Sequence, residues 1–323
     1  GLLDIYSNNL DVDPLFEDDY TLSEASECID AASGDGEYEG YAPDMGAYES
    51  SYEGIIGCSD YLALNFDPDA WIEGECSYAS EWYVATSGDD VEGLGTDESP
   101  FASIQHALAF ITNISQEENN ELQTIYLENG TYYENISWPA LGNIQLIGED
   151  RDSTIVNGND TGIVIDMTSL NGIEDFGTLI SHLTITNGYT SGGEGGGLRI
   201  SGSPTLQYLN IVGNHAYHGG GISILGGPGT TIQNTLISGN YASRGGGGLH
   251  SSCSPYCVTT FINTTMVGNS AAQYGPAMYN GMWNSRTIAF NSIIEGDIYN
   301  NSIIDFYYTY FSGSVSSQSV SQN

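Results

Sequence analysis

The sequence predicts an all-β solenoid built from coils of three short strands, and three observations carry that expectation. The first is a repeat. An apolar-rich run closing on asparagine occurs at residues 183–187 (LTITN), 209–214 (LNIVGN), 235–240 (TLISGN) and 265–269 (TMVGN), and the closing residues Asn187, Asn214, Asn240 and Asn269 stand 27, 26 and 29 residues apart. The second is a glycine run at a similar offset after each, at 195–197, 219–221 and 245–248, then Gly275-Pro276-Ala277. The third is a pair of strand-like segments filling the rest of the period. Leu198 with Ile200, and Ile222 with Ile224, leave the glycine runs, and residues 205–208, 231–234, 259–262 and 286–289 precede the next asparagine.

A coil of that size cannot bury a face alone, so neighbouring coils must stack on it. Stacking brings equivalent residues about 4.8 Å apart in parallel strands. Inward positions then form apolar ladders, and the four asparagines are expected to bond along the stack at a turn. Glycine recurs where a tight corner needs a positive φ that a Cβ opposes. A flexible linker is glycine-rich too, but lacks period-locked Ile, Leu and Val.

The asparagine-ended strand followed by Gly-Gly-Gly-apolar resembles bacterial right-handed parallel β-helix proteins of the pectate-lyase-like superfamily. It is also similar to the repeats of chlamydial polymorphic outer-membrane proteins, although phenylalanine is scarcer here. The resemblance implies a right-handed parallel β-helix and secretion. It says little about activity, because one scaffold hosts many functions.

The chain has 323 residues, four arginines, no lysine and 42 acidic residues, for a net charge of −38. That field repels nucleic acid and anionic membranes and attracts cations, Ca²⁺ above all. No apolar run approaches the roughly 20 residues of a membrane span. Of the five cysteines, Cys58 and Cys76 bracket an acidic loop and Cys253 and Cys257 a tight turn. Two local disulfides, Cys58–Cys76 and Cys253–Cys257, suit an extracellular or cell-surface protein and leave Cys28 unpaired. Zinc is the rival reading, but no histidine stands at ligand spacing from either pair.

Residues 1–49 come first yet resemble an ending: the series through Asp13-Pro14, Cys28-Ile29-Asp30 and Pro43-Asp44-Met45-Gly46 is similar to the closing segment of secreted β-helix domains of the choice-of-anchor type. In those domains the cysteine of the segment is a lone buried residue, which implies the same for Cys28. Residues 50–80 form an acidic, cysteine-bracketed linker similar to short repeats of marine bacterial surface proteins. Asp60, Asn65, Asp67, Asp69, Glu73 and Glu75 offer hard oxygens within a short span, and Ca²⁺ takes six to eight such ligands. A solvated acidic linker is the alternative, since the spacing differs from an EF-hand loop.

The β-helix is expected over residues 81–311. Ser99 and Pro100 read as an N-cap and first-turn proline of a capping helix near residues 100–111. Phe101, Ile104, Ala107, Leu108 and Ile111 share one face of it, which would cover the open end of the solenoid. Strand segments then follow at 124–127, 144–148, 154–158 and 162–165 before the regular coils. Residues 297–311 continue the stack less regularly, and 312–323 form a Ser/Gln-rich tail.

Read as a circle, the tail runs into the first residues and the order becomes natural: 1–49 would complete a preceding unit and 312–323 would join the next. The expectation is a head-to-tail array of copies of the chain, a structural extracellular filament, since a heterologous contact that never closes generates a fibre. No catalytic residues are assigned. Arg199 and Arg244 read as distant coil positions, and His182, His215, His218 and His250 as turn histidines; Gly-x-Ser-x-Gly, His-Glu-x-x-His and phosphate loops are absent. The chain is therefore expected not to be an enzyme. A glycan-binding adhesin, using the 23 tyrosines and four tryptophans, is the alternative, and a polysaccharide lyase or hydrolase the third reading.

Overall fold

A computed structural model describes residues 12–17, 21–32, 44–45, 54–70, 72–114, 121–173, 177–253, 257–281 and 285–317. The chain divides into two compact units, residues 1–79 and 80–323.

The larger unit is the expected parallel β-helix. Three long sheets run its length, with nine, eight and eight strands among the described residues, each strand pairing with its equivalents in the coils before and after. The first sheet starts at Glu81–Val84, the second at Gly130–Tyr133 and the third at Ile136–Ser137. Alternation along each strand sends one set of side chains inward. In the first sheet Trp82, Ile125, Leu146, Ile180, Leu206, Ile232, Phe261 and Ala289 succeed one another in register, all buried. In the second, Ile185, Ile211, Ile237, Met266 and Ile294 do the same. In the third the inward column is Ile136, Ile165, Leu198, Ile222, Leu249, Met278 and Ile298. These columns make one continuous apolar core.

The asparagine ladder stands at the corner after the second sheet. Asn214 donates from Nδ2 to Asn240 Oδ1 at 3.0 Å, and Asn240 to Asn269 Oδ1 at 3.0 Å. Each also donates to a backbone carbonyl, of Ile185, Ile211 and Ile237 respectively. Asn187 does not join them. It follows its strand directly, where the other three runs place a glycine first, so it stands level with Gly213 in the left-handed region (φ 54°), and Gly188 takes the ladder level, its N–H donating to Asn214 Oδ1. Glycine is required just beyond, where a Cβ on Gly221 would sit 2.7 Å from the Gly248 carbonyl oxygen.

The helix α1 spans Ile104–Ile114 and buries Ile104, Ala107, Leu108 and Ile111. It starts later than Ser99-Pro100 predicted. Ser103 is the capping residue, its Oγ accepting from His106 N–H at 3.2 Å, and Glu134 accepts the free N–H groups of Ile104 and Gln105. Pro100 instead precedes the bridge of Phe101 to Val84, and Phe101 is buried ahead of the helix, stacked on Trp82.

In the smaller unit, Ile56–Gly57 pairs in parallel with Ile72–Glu73, tied by the Cys58–Cys76 disulfide. Cys253 and Cys257 form the second disulfide. Leu22, Cys28 and Ile29 pack into a small cluster, with Cys28 a buried free thiol. Of the residues that carry the resemblance to a closing segment, Asp13, Pro14, Cys28, Ile29, Asp30, Asp44 and Met45 are described, and Pro43 and Gly46 lie outside the described residues.

Candidate active site

The outward side of the third sheet gathers one of the chain's four arginines, two of its five histidines and several tyrosines. Two columns lie side by side on it. Strand register aligns Asp166, Arg199, Ser223, His250, Tyr279 and Tyr299. Beside them single bridges align Glu194 with His218, His218 with Gly245, and Gly245 with Tyr274. The second column exists because an additional short sheet, His215–His218, Tyr241–Gly245 and Ser270–Ala271, inserts at the turn before the third sheet.

At one end, Arg199 grips Asp166 with two donors, Nε to Oδ1 at 3.2 Å and Nη2 to Oδ2. Asp166 Oδ1 also accepts from Thr168 N–H at 3.1 Å and Thr168 Oγ1 at 2.9 Å. Burial alone would raise the Asp166 pKa, but the hydrogen bonds from Arg199 and Thr168 outweigh it and hold the carboxyl below its ordinary value. Glu194 goes the other way: burial raises its pKa, only partly opposed by Arg199. Two carboxylates around one guanidinium are thus pushed apart, one toward the ionised form and one toward the acid.

Next along the face, His250 is buried, its Nδ1 3.1 Å from Ser223 Oγ and 4.0 Å from Glu194 Oε1. Both partners meet the same ring nitrogen, and Ser223 is fully buried. A serine relay needs the acid and the hydroxyl on opposite nitrogens, so these three do not form one. Burial, helped by His218, pushes the His250 pKa down to about 3. His218 is lowered too, chiefly by burial, and its buried Nδ1 has no hydrogen-bond partner among the described residues. The His218 ring stacks on His250 at 4.6 Å and on Tyr279 at 5.2 Å. Gly245 permits this: a Cβ there would lie 3.0 Å from the Tyr279 ring. Tyr274 and Tyr299 extend the aromatic run, and Arg244 lies over Tyr217, whose hydroxyl accepts from it at 2.9 Å.

The sequence held a signal for this cluster. Arg199, Ser223, His250 and Tyr279 each stand two residues after the end of a glycine run or its Gly-Pro-Ala equivalent, and Glu194, His218 and Tyr274 one residue before its start. Equal offset in a solenoid means adjacent in space.

Four of the six oxygen-bearing side chains of the smaller unit hydrogen-bond within it. Asn65 spends its amide on backbone, Nδ2 to the Glu75 carbonyl and Oδ1 from Ser77 N–H. Asp60 accepts from Leu62 N–H and Tyr78 Oη, Asp67 from Asp69 N–H, and Glu73 from Ser59 Oγ. Among the described residues no group of three or more His, Cys, Asp or Glu side chains is gathered to hold a metal ion.

No protein-family model and no curated protein matches the chain. Among solved structures it is similar to a pectin methylesterase from Aspergillus niger, at 13% identity over 77% of this chain and 93% of that one, with a TM-score of 0.45. Pectin methylesterase PemA from Erwinia chrysanthemi is 14% identical over 71% and 89%, with a TM-score of 0.39. The carrot pectin methylesterase is 14% identical over 77% and 86%, with a TM-score of 0.41. Likeness at this level concerns the fold and assigns this chain no activity, substrate or active residue. The expectations of a non-catalytic filament unit, and of a chain that is not an enzyme, nevertheless do not stand. Arg199, which the sequence placed as a distant coil position with no catalytic partner, lies against Asp166, with Glu194, His218 and His250 beside them. Positions 33 residues apart in the chain, Asp166 and Arg199, are neighbours across one coil.

Proposed function

We propose that the chain is an extracytoplasmic carbohydrate-active hydrolase that takes a polysaccharide along the outward face of the third sheet. The observation that carries this reading is the pair of carboxylates with opposite tendencies, Asp166 and Glu194, around Arg199. Titratable groups pushed apart in one site mark a base or nucleophile and an acid. Asp166, ionised and oriented by Arg199 and Thr168, attacks the reacting carbon or activates a water for that attack. Glu194, whose pKa burial raises, gives its proton to the leaving oxygen. The Arg199 guanidinium stands where negative charge develops. Tyr279, Tyr274 and Tyr299 offer ring faces for the sugars beyond the reacting unit, backed by the buried imidazoles of His218 and His250. A net charge of −38 repels a polyanion, so the substrate is an uncharged polysaccharide or an ester-capped one. Two disulfides support an oxidising compartment.

The test is hydrolysis of a panel of methyl-esterified, acetylated and unsubstituted neutral polysaccharides, following released acid and new reducing ends separately. Turnover is expected with one class, and Asp166→Asn and Glu194→Gln should each lower kcat by about 100-fold or more. No turnover on any member, or turnover indifferent to both substitutions, refutes the reading.

A further inference from the structure

Two cavities, of about 240 and 390 Å³, lie along the first sheet and its corner into the second, with Glu149 lining both. Neither includes a residue of the Asp166 face. Tyr83 and Tyr126 line the smaller one. They are register partners in adjacent strands, with ring centroids 5.3 Å apart. His182 and Tyr208 line the larger one, stacked at 4.8 Å and 24°. Between the two ring pairs run polar groups held in place. Glu149 Oε2 accepts from Asn129 N–H at 3.1 Å, and Asp152 Oδ1 from Asn210 Nδ2 at 2.8 Å.

The corner itself is built alike in six successive coils, and each places one residue in the left-handed region: His182, Tyr208, Asn234, Asn263, Asn291 and Tyr308, with φ between 46° and 56°. Asparagine tolerates that conformation and fills the three central coils. A ring-bearing side chain does so at a cost. Tyr208 recovers little of it by burial, remaining 42% exposed. His182 and Tyr208 thus hold strained positions where they pack on each other and face a cavity, the three coils after them use asparagine, and Tyr308 at the last coil is 93% exposed and lines neither cavity.

We propose that this corner groove is a second, non-hydrolytic binding site for an uncharged oligosaccharide. Sugar ring faces lie against Tyr126 and against the His182–Tyr208 pair, and sugar hydroxyls donate to Glu149 and Asp152. The rings form flat platforms, which suit the apolar face of a sugar better than a point charge. The one cation present, Arg151, already faces Asp152 at 3.7 Å, and the carboxylates turn anionic chains away. The site stands apart from the hydrolytic face and does not depend on its chemistry.

Calorimetric titration of the full chain tests it with cellohexaose, xylohexaose, mannohexaose and N-acetylated chitohexaose, beside a fully deacetylated chitosan hexamer and hexagalacturonate. The informative variant is His182→Asn with Tyr208→Asn, because asparagine already holds this corner in the next three coils. It should keep or raise the melting temperature and weaken the best neutral hexasaccharide by about tenfold, the combined worth of two lost ring contacts. Tyr126→Ser should weaken the same ligand. Four results overturn the proposal: no neutral hexasaccharide binding in the millimolar range, affinity unchanged in the double variant, binding lost only with Tyr279→Ala, or the deacetylated hexamer binding more tightly than every neutral one.

Discussion

Replacing Asn240 by Leu tests whether the buried amide ladder holds the corner that carries the second column of the site. Asn240 is fully buried. Its Oδ1 accepts from both the backbone N–H and the Nδ2 of Asn214, and its Nδ2 donates to the Ile211 carbonyl and to Asn269 Oδ1. Leucine fills similar volume and makes none of these bonds. Asn214 Nδ2 keeps its bonds to Ile185 and Val212, and Asn269 Oδ1 still accepts from the residue 240 backbone. The Asn214 N–H is left orphaned in the interior, at a cost of about 1–3 kcal/mol, and the three other lost bonds add about 1 kcal/mol each. Allowing about 1–2 kcal/mol returned by the apolar side chain, the net loss is about 3 kcal/mol. Urea unfolding, with hydrogen exchange to report coil by coil because solenoids need not unfold in one step, should show it in the coils around 214–269. The control is Asn263→Gly on the other corner. Its side chain makes one exposed bond, to Asn234 at 3.2 Å, and glycine accepts its φ of 50°, so the change should stay within about 0.5 kcal/mol. A loss below about 1 kcal/mol for Asn240→Leu, or an equal loss for the control, refutes the reasoning.

Activity should follow a bell in pH, rising as Asp166 ionises below the usual carboxylate range and falling as Glu194 loses its proton above it; a profile whose alkaline limb is unmoved in Glu194→Gln contradicts the assignment. The same two groups act oppositely on stability. Asp166, lowered on folding, stabilises above its unfolded pKa, and that contribution is lost as pH falls through the folded value. Glu194, raised on folding, stabilises below its unfolded pKa, and that is lost as pH rises through the folded value. His250 takes up its proton near 6.5 when unfolded but only at about 3 when folded, chiefly because of burial. Stability should therefore decline as pH drops from about 6.5 toward 3, and His250→Gln should flatten that decline in urea midpoints measured across the range.

Much of this molecule was legible in one dimension because a solenoid's contacts are nearly one-dimensional. Each coil touches its neighbours, so the period of the asparagine runs carried the sheet registers and most of the inward ladders. It slipped where the asparagine came one position early in a coil of unchanged 26-residue register, which left Asn187 off the ladder, and where a cap was chosen by local preference although Asp90 and Glu134 decided it from afar. Asp90 binds the backbone of Ala102 and Ser103, and Glu134 that of Ile104 and Gln105.

The sequence by itself determined the repeat, the fold class, the cysteine pairs and the acidic field, because these depend on spacing and composition. Only the tertiary structure decided the chemistry. Asp166 meets Arg199 across one coil, Glu194 and His218 reach the same face through an inserted strand, and the two imidazoles pack at 4.6 Å with Tyr279 beside them. Protonation and reactivity follow from burial and from the charge beside a group, and neither is a property of its position in the chain.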